Sequence, residues 1–224
     1  RLEQAAPSGS IYVDDAIASR VPGRQVVPGT HRLARRPAAA GQARTPPPDP
    51  AAERFLAPEI AAVESIGVPA GEHRRTAVAF LDLGGLSEIE RSEGIEGVHQ
   101  RLSRVAQAIE DARHEYAVQW TATDLGDDAT VFILYAGAPV AIERADERLL
   151  RACSDIREMC SGLPVRIGVH SGRAFAADIG AIDRRTYAVI GDTTNMAARL
   201  MAKAPVGGVL ASRDVIDRAG PTHS

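Results

Sequence analysis

Tyr187-Ala-Val-Ile-Gly-Asp-Thr-Thr-Asn-Met-Ala-Ala-Arg-Leu200 has the pattern of an apolar strand that passes through a glycine into a helix. On that helix Asn195 and Arg199 are four residues apart, so they share one face and lie roughly 6 Å apart along the axis. An amide both donates and accepts hydrogen bonds, and a guanidinium suits phosphate oxygens. The pair therefore favours a nucleotide polyphosphate as the ligand.

The composition of the chain is that of a globular protein with no electrostatic preference for polyanions. Of its 224 residues, 45% are apolar and 25% are charged, and the net charge is −3. Neither nucleic acid nor a membrane is therefore expected as a partner. No apolar run approaches the roughly 20 residues that cross a bilayer, and no signal peptide is visible, so we expect a cytoplasmic protein. Cys153 and Cys160 would lie about 10 Å apart on one helix, which predicts buried thiols and no disulfide.

The pattern of apolar residues after residue 72 predicts a series of strands and helices. A continuous apolar run predicts a central strand, and alternating spacings of three and four predict two amphipathic helices. Two strands flank an acidic turn between the helices, as in a β-hairpin. The predicted ranges are Ala77–Leu83 for the first strand, 95–112 and 142–160 for the helices, Tyr116–Thr123 and Thr130–Tyr135 for the hairpin, and 124–128 for its turn.

Further strands and helices follow this core. Strands are predicted at Pro164–Ser171, Arg173–Ala177, Thr186–Ile190 and Gly208–Ala211. The helix that carries Asn195 lies between the last two of these strands, and a helix capped by Ser212 follows the last one. The order β-α-β-β-α-β predicts an α+β fold with a ferredoxin-like core, a sheet with helices on one face, extended by C-terminal strands and helices.

The first 71 residues divide into two predicted regions. Residues 37–71 form a Pro-rich linker with a short helix, since 37–50 has no apolar periodicity. Residues 1–36 contain a predicted strand at Ser10–Val13 and echo the end of the chain. A shift of 198 residues places Arg1-Leu2 on Arg199-Leu200 and Ala6-Pro7 on Ala204-Pro205. The echo suggests that 1–36 is the C-terminal tail of a preceding, similar domain, and that 72–224 is a second copy without its own C-terminal end.

Two motifs carry a resemblance to a known family. Phe80-Leu-Asp-Leu-Gly-Gly-Leu86 resembles the first-strand motif of class III nucleotidyl cyclases, which make cyclic nucleotides from nucleoside triphosphates. The block Arg185-x-Tyr187-x-x-Ile190-Gly-Asp192-x-x-Asn195-x-x-x-Arg199-Leu200 closely resembles the family's most diagnostic segment. The arrangement is similar to bacterial tandem cyclases of the soluble adenylyl cyclase type. The resemblance covers residues 72–224.

The resemblance implies a reaction and a set of residues for it. Two divalent ions, Mg²⁺ or Mn²⁺, would be held by carboxylates, with Asp82 as the first ligand and Asp127 as the second. Asn195 would hold the ribose of ATP and Arg199 would stabilise charge at the α-phosphate. In this family the site forms between two cyclase domains, so a homodimer or a tandem partner is expected.

Three positions depart from the family's pattern. Asp127 is either the second metal ligand on a lengthened hairpin or a solvated turn residue. The adenine-selecting lysine of the family falls on Thr123, and its partner falls on Ala188. Neither side chain reproduces the usual hydrogen bonds to the base.

Two hypotheses therefore compete. In the first, the chain carries a class III adenylyl cyclase domain that converts ATP to cyclic AMP and pyrophosphate. In the second, the domain is catalytically degenerate and serves for dimerisation or nucleotide sensing. Asp82, Asn195 and Arg199 favour the first, whereas Thr123 and Ala188 favour the second.

Overall fold

A computed structural model of the chain describes residues 12–13, 25–27, 30–32, 71–126, 129–181 and 184–220. The chain divides into two units, Arg1–Pro46 and Pro47–Ser224. In the first unit, three short antiparallel strands pair in the order β1-β3-β2: β1 (Tyr12–Val13), β2 (Gln25–Val27) and β3 (Thr30–Arg32). β1 lies within the strand predicted at Ser10–Val13. The linker and short helix predicted for 37–71 lie outside the described residues, except for Gly71.

The second unit contains a six-stranded sheet. Its strands and helices are, in chain order, β4 (Glu72–Gly84), α1 (Leu86–Tyr116), β5 (Gln119–Leu125), β6 (Ala129–Ala136), α2 (Ala145–Met159), β7 (Val165–Ala181), β8 (Arg184–Ile190), α3 (Asp192–Lys203), β9 (Gly208–Ala211) and α4 (Arg213–Ala219). The strand order is β5-β6-β4-β7-β8, and β9 pairs with β7 in parallel. The predicted α+β, ferredoxin-like core is confirmed, because β4, β5, β6 and β7 form an antiparallel sheet in the order β5-β6-β4-β7.

Most elements begin and end within a few residues of their predicted bounds, with two differences. The strands predicted at Pro164–Ser171 and Arg173–Ala177 are one continuous strand, β7, because β4 pairs with it without interruption from Glu72 to Leu83. The first helix begins at Leu86, earlier than predicted, and Gly94 interrupts it with a φ of 72° and a ψ of −175°. A glycine adopts such a backbone conformation without steric cost.

The two faces of the sheet carry different layers. Ala77, Ala79, Leu81 and Leu83 of β4 point to the main core, where α1, α2 and α4 pack. Burying each of the larger side chains contributes about 1.5–3 kcal/mol. Val78 and Phe80 point to the other face, where they join a smaller cluster with Ala197 of α3. The two core helices, α1 and α2, thus share one face as predicted, whereas α3, one of the additional C-terminal elements, packs on the other.

The two cysteines behave as the sequence predicts. Cys153 and Cys160 are buried and free. Burial raises the pKa of the Cys153 thiol to about 12, so the thiol stays protonated at neutral pH. None of the helices that the structure describes is long and apolar enough to cross a membrane.

Candidate active site

A row of side chains crosses the sheet near the end of β4. Asp82 pairs in register with Val131 of β6 on one side and with Arg166 of β7 on the other. Val131 in turn pairs with Asp124 of β5. Residues directly opposite each other on neighbouring strands share a face of the sheet. Asp124, Asp82 and Arg166 therefore project from the same face.

That face is the one on which α3 packs. Side chains alternate along a strand, and Asp82 continues the series of Val78 and Phe80. Asp82 and Arg166 are half-buried, whereas Asp124 is exposed. A carboxylate on the inner strand of a sheet with a guanidinium in register beside it is suited to a site that handles both cations and phosphate groups.

The helix α3 lies directly against β7, because two glycines leave room for it. A Cβ built on Gly168 would come within 2.0 Å of the backbone nitrogen of Met201, and one on Gly172 within 2.7 Å of the hydroxyl of Thr193. The Thr193 hydroxyl donates a hydrogen bond of 3.0 Å to the carbonyl oxygen of Arg173. These contacts fix the rotation of α3 on the sheet.

With that rotation Asn195 and Arg199 point away from the sheet. Thr193 and Ala197 are buried, and Asn195 and Arg199 each follow two residues later, about 200° around the helix. Both are exposed. The structure thus brings Asn195 and Arg199 together on one face, as predicted, and separates both from the face of the sheet that carries Asp82.

The positions predicted to contact the base lie on different strands. Thr123 is on β5, where it pairs with the buried Phe132, so it projects from the face opposite to Asp82. Its hydroxyl accepts a hydrogen bond of 3.1 Å from the Trp120 indole nitrogen. Ala188 is on β8, at the other end of the strand order, where it pairs with Ala177. One chain does not bring Thr123 and Ala188 together.

Asp127 lies outside the described residues, and so does Asp128. The hairpin around them is described: Leu125 pairs with Thr130, and the Gly126 amide donates a hydrogen bond of 2.9 Å to the carbonyl oxygen of Ala129. The predicted hairpin is confirmed, but Asp124 and Leu125 belong to β5 and not to the turn predicted at 124–128. The assignment of Asp127, as a metal ligand or as a solvated turn residue, stays a prediction. Among the described residues, no three or more His, Cys, Asp or Glu side chains cluster as a metal site would require.

Two further residues of the region have neighbours that the sequence alone does not predict. Arg166 lies opposite Asp82, which only the pairing of β4 with β7 reveals. Ser212 precedes α4 at the predicted cap position, but its side chain does not cap the helix. Its hydroxyl instead lies 2.8 Å from Nδ1 of His170 on β7.

Comparison with known proteins identifies the family of this chain. The model of the family described as adenylate and guanylate cyclase catalytic domain matches residues 73–220. The chain belongs to this family. The uncharacterised protein Rv1318c of Mycobacterium tuberculosis is 32% identical over 157 residues, which are 66% of this chain and 28% of that protein. A second protein of that organism, Rv1319c, is 31% identical over 180 residues, which are 76% of this chain and 32% of that protein.

Solved cyclase structures share the fold. The adenylyl cyclase CyaB from P. aeruginosa aligns with a TM-score of 0.58 and 18% identity, over 67% of this chain and 82% of that chain. A dimeric guanylyl cyclase domain of the RhoGC fusion protein from Blastocladiella emersonii aligns with a TM-score of 0.57 and 20% identity, over 65% and 83%. This cyclase domain thus resembles adenylyl and guanylyl cyclases alike. The chain spans less than a third of the length of Rv1318c.

Proposed function

We propose that this cyclase domain converts ATP to cyclic AMP and pyrophosphate at a site completed by a second cyclase domain. The observation that supports the proposal is that the two groups of predicted site residues project in different directions within one chain. Asp82 projects from the sheet, whereas Asn195 and Arg199 project from the outer face of α3. Because one chain carries both halves, two copies in a symmetric pair contain everything needed for two sites. A tandem partner domain would serve equally.

The donor chemistry on the sheet side fits a hard divalent cation. Asp82 supplies carboxylate oxygens, whereas Asp124 lies in the same row two strands away, roughly 10 Å from it and too far to share one ion. Mg²⁺ is commonly held by one or two carboxylates together with phosphate oxygens of the substrate, so a larger cluster of protein ligands is not required. Two such ions, when bound, would lower the pKa of the ATP 3′-hydroxyl and offset the charge of the triphosphate.

Each of the proposed site residues would have a separate task in the reaction. Asp82 would bind and orient the metal ions, with Asp127 as the proposed second ligand. Asn195 of the other domain would position the ribose through its amide, which both donates and accepts. Arg199, four residues along the same helix face, would stabilise negative charge at the α-phosphate as the bond to pyrophosphate breaks. Arg166 lies in register with Asp82, where its guanidinium would bind phosphate oxygens of the same nucleotide.

The choice of ATP rests on the similarity to tandem adenylyl cyclases. Thr123 and Ala188 supply no charged or amide group for a purine edge, and they lie on opposite ends of the strand order. Base selection by this domain is therefore expected to be weak, or to depend on the partner domain. Activity with GTP has to be measured beside activity with ATP.

The second candidate function is a degenerate cyclase domain that pairs with an active one or senses nucleotide. Thr123 and Ala188 favour it, since neither reproduces the base contacts of the family. Cyclic AMP and cyclic GMP should be measured with Mg²⁺ and with Mn²⁺, for the chain alone and mixed with a complete first cyclase domain. Cyclic nucleotide formed in either sample supports the enzyme. Absence of product in both, together with no ATP binding by calorimetry, would rule out catalysis by this chain.

A further inference from the structure

A cavity of about 470 Å³ lies at the opposite end of β4 from Asp82. β6 ends where Ala136 pairs with Ala77, but β4 extends back to Glu72 with only β7 beside it. The space that a longer β6 would fill is bordered by the loop between β6 and α2, the first turn of α2, and the end of α4. The cavity thus results from the difference in length between two neighbouring strands.

The lining of this cavity is strongly cationic. Four arginines line it, with a single carboxylate among them, although the whole chain carries a net negative charge. They come from three separate elements: Arg74 and Arg75 from β4, Arg144 from the residue before α2, and Arg218 from α4, with Asp146 as the carboxylate. Arg74 and Arg75 are consecutive on β4, so their side chains project from opposite faces of the sheet, and the Arg74 guanidinium donates a hydrogen bond of 2.6 Å to the carbonyl oxygen of Pro139. Arg75, Arg144 and Arg218 approach the cavity from different elements, and guanidiniums so placed suit an oxyanion.

Two of the four guanidiniums retain capacity to bind a ligand. Arg218 is exposed and makes no hydrogen bond or ion pair within the described part of the chain. Arg75 donates a hydrogen bond of 2.8 Å to the Ser171 hydroxyl, but its nearest carboxylate oxygen, on Asp146, is 3.9 Å away, beyond hydrogen-bond reach. Arg74 and Arg144 already form ion pairs with neighbouring glutamates. Arg75 and Arg218 are therefore the groups that an incoming anion would contact.

The helix α2 begins at the same cavity and adds backbone donors. Its N-cap residue, Arg144, has a φ of 55° and makes no side-chain capping bond. The first amide groups of a helix have no partner within the helix, and the helix dipole favours negative charge beside them. Ala77, Ala141 and Ile142 also line the cavity and provide apolar surface. The cavity therefore combines an anion receptor with a small hydrophobic wall.

We propose that this cavity binds a small organic phosphate, with the phosphate group held by Arg75, Arg218 and the start of α2. The volume of about 470 Å³ is in the range of small-molecule sites, which favours a compact ligand. Arg75 lies seven residues before Asp82 on β4, roughly 23 Å along the strand at 3.3 Å per residue. The cavity is thus separate from the row that carries Asp82, and the proposal does not depend on cyclase activity.

Calorimetry on this chain in metal-free buffer with EDTA tests the proposal, using AMP, inorganic phosphate and adenosine as probes. We expect AMP and phosphate to bind and adenosine not to bind. Failure of AMP to bind at millimolar concentration, or equal binding of adenosine, would overturn the proposal.

Charge-reversed variants of α4 test whether AMP binds in this cavity. Arg218→Glu is expected to weaken AMP binding at least about tenfold, since a charge-assisted contact is replaced by repulsion. Arg213→Glu on the same helix makes the same change in net charge at an exposed position outside the cavity, and should leave AMP binding unchanged. Equal losses of AMP binding in the two α4 variants would contradict the assignment.

Discussion

Gly168 of β7 lies against the backbone of Met201 in α3, so closely that a Cβ on Gly168 would be 2.0 Å from the Met201 nitrogen. The carbonyl oxygen of Ala197 would be only 2.4 Å from the same Cβ. Backbone atoms of a helix do not give way as the end of a flexible side chain does. This contact therefore sets the position of α3, and with it the outward direction of Asn195 and Arg199.

The variant Gly168→Ala tests the importance of this contact. We expect it to lower the free energy of unfolding by about 1–3 kcal/mol, because overpacking displaces α3 from the sheet. Urea denaturation measures the loss. Gly84→Ala is the matched control in a strand, since a Cβ there meets no atom closer than 3.9 Å. Equal stability of Gly168→Ala and Gly84→Ala would show that α3 is not held by this contact.

Arg166 is expected to contribute to catalysis through its place beside Asp82. Arg166→Gln should lower kcat/KM for the nucleotide by about tenfold to a hundredfold, since a charged contact to phosphate is lost. Arg166→Lys should restore part of the activity because it keeps the charge. The melting temperatures of both variants serve as the check on folding. Unchanged kcat/KM in Arg166→Gln would exclude a role for Arg166 at the phosphates.

The environment of His170 leads us to expect that the folded chain loses stability in mild acid. Burial lowers the pKa of this imidazole, and the charge of Arg75 acts in the same direction, while Asp214 and Asp146 oppose both. Because the folded-state pKa lies below the unfolded-state value, near 6.5, the stabilisation is present above about pH 6.5 and is lost as the pH falls through the folded-state pKa.

Melting temperatures between pH 7.5 and pH 5 measure this effect. The decrease should be smaller in His170→Gln than in the unaltered chain, because glutamine does not titrate. The exposed His99→Gln is the control, and it should show the full decrease. If His170→Gln and His99→Gln lose the same stability, the acid sensitivity arises elsewhere.

Periodicity and turn residues were sufficient to predict the order of elements. The continuous apolar run Ala77–Leu83 predicts the buried central strand β4, and Gly208–Ala211 is predicted with the bounds that the structure gives. The spacing of Asn195 and Arg199 predicted that they share a helix face. These features are local, since they depend on a few neighbouring residues and on the geometry of one helix or strand.

Relationships across the sheet could not be predicted in the same way. The opposition of Asp82 and Arg166 depends on the register of two strands more than 80 residues apart in sequence. The placement of α3 on the second face depends on Gly168, whose missing side chain has no periodic signature. Likewise, the Ser212 hydroxyl bonds His170 because β9 lies beside β7, whereas the local sequence predicted only a helix cap.

A complementation assay tests the shared site most directly. Asp82→Ala and Arg199→Ala should each be inactive alone, because every site in either homodimer lacks one half. In an equal mixture, half of the dimers pair one variant with the other, and each such dimer has one intact site. Cyclic AMP production should therefore recover to about a quarter of that of the unaltered chain. An inactive mixture of folded, dimeric variants, or full activity of either variant alone, would contradict a site shared between two cyclase domains.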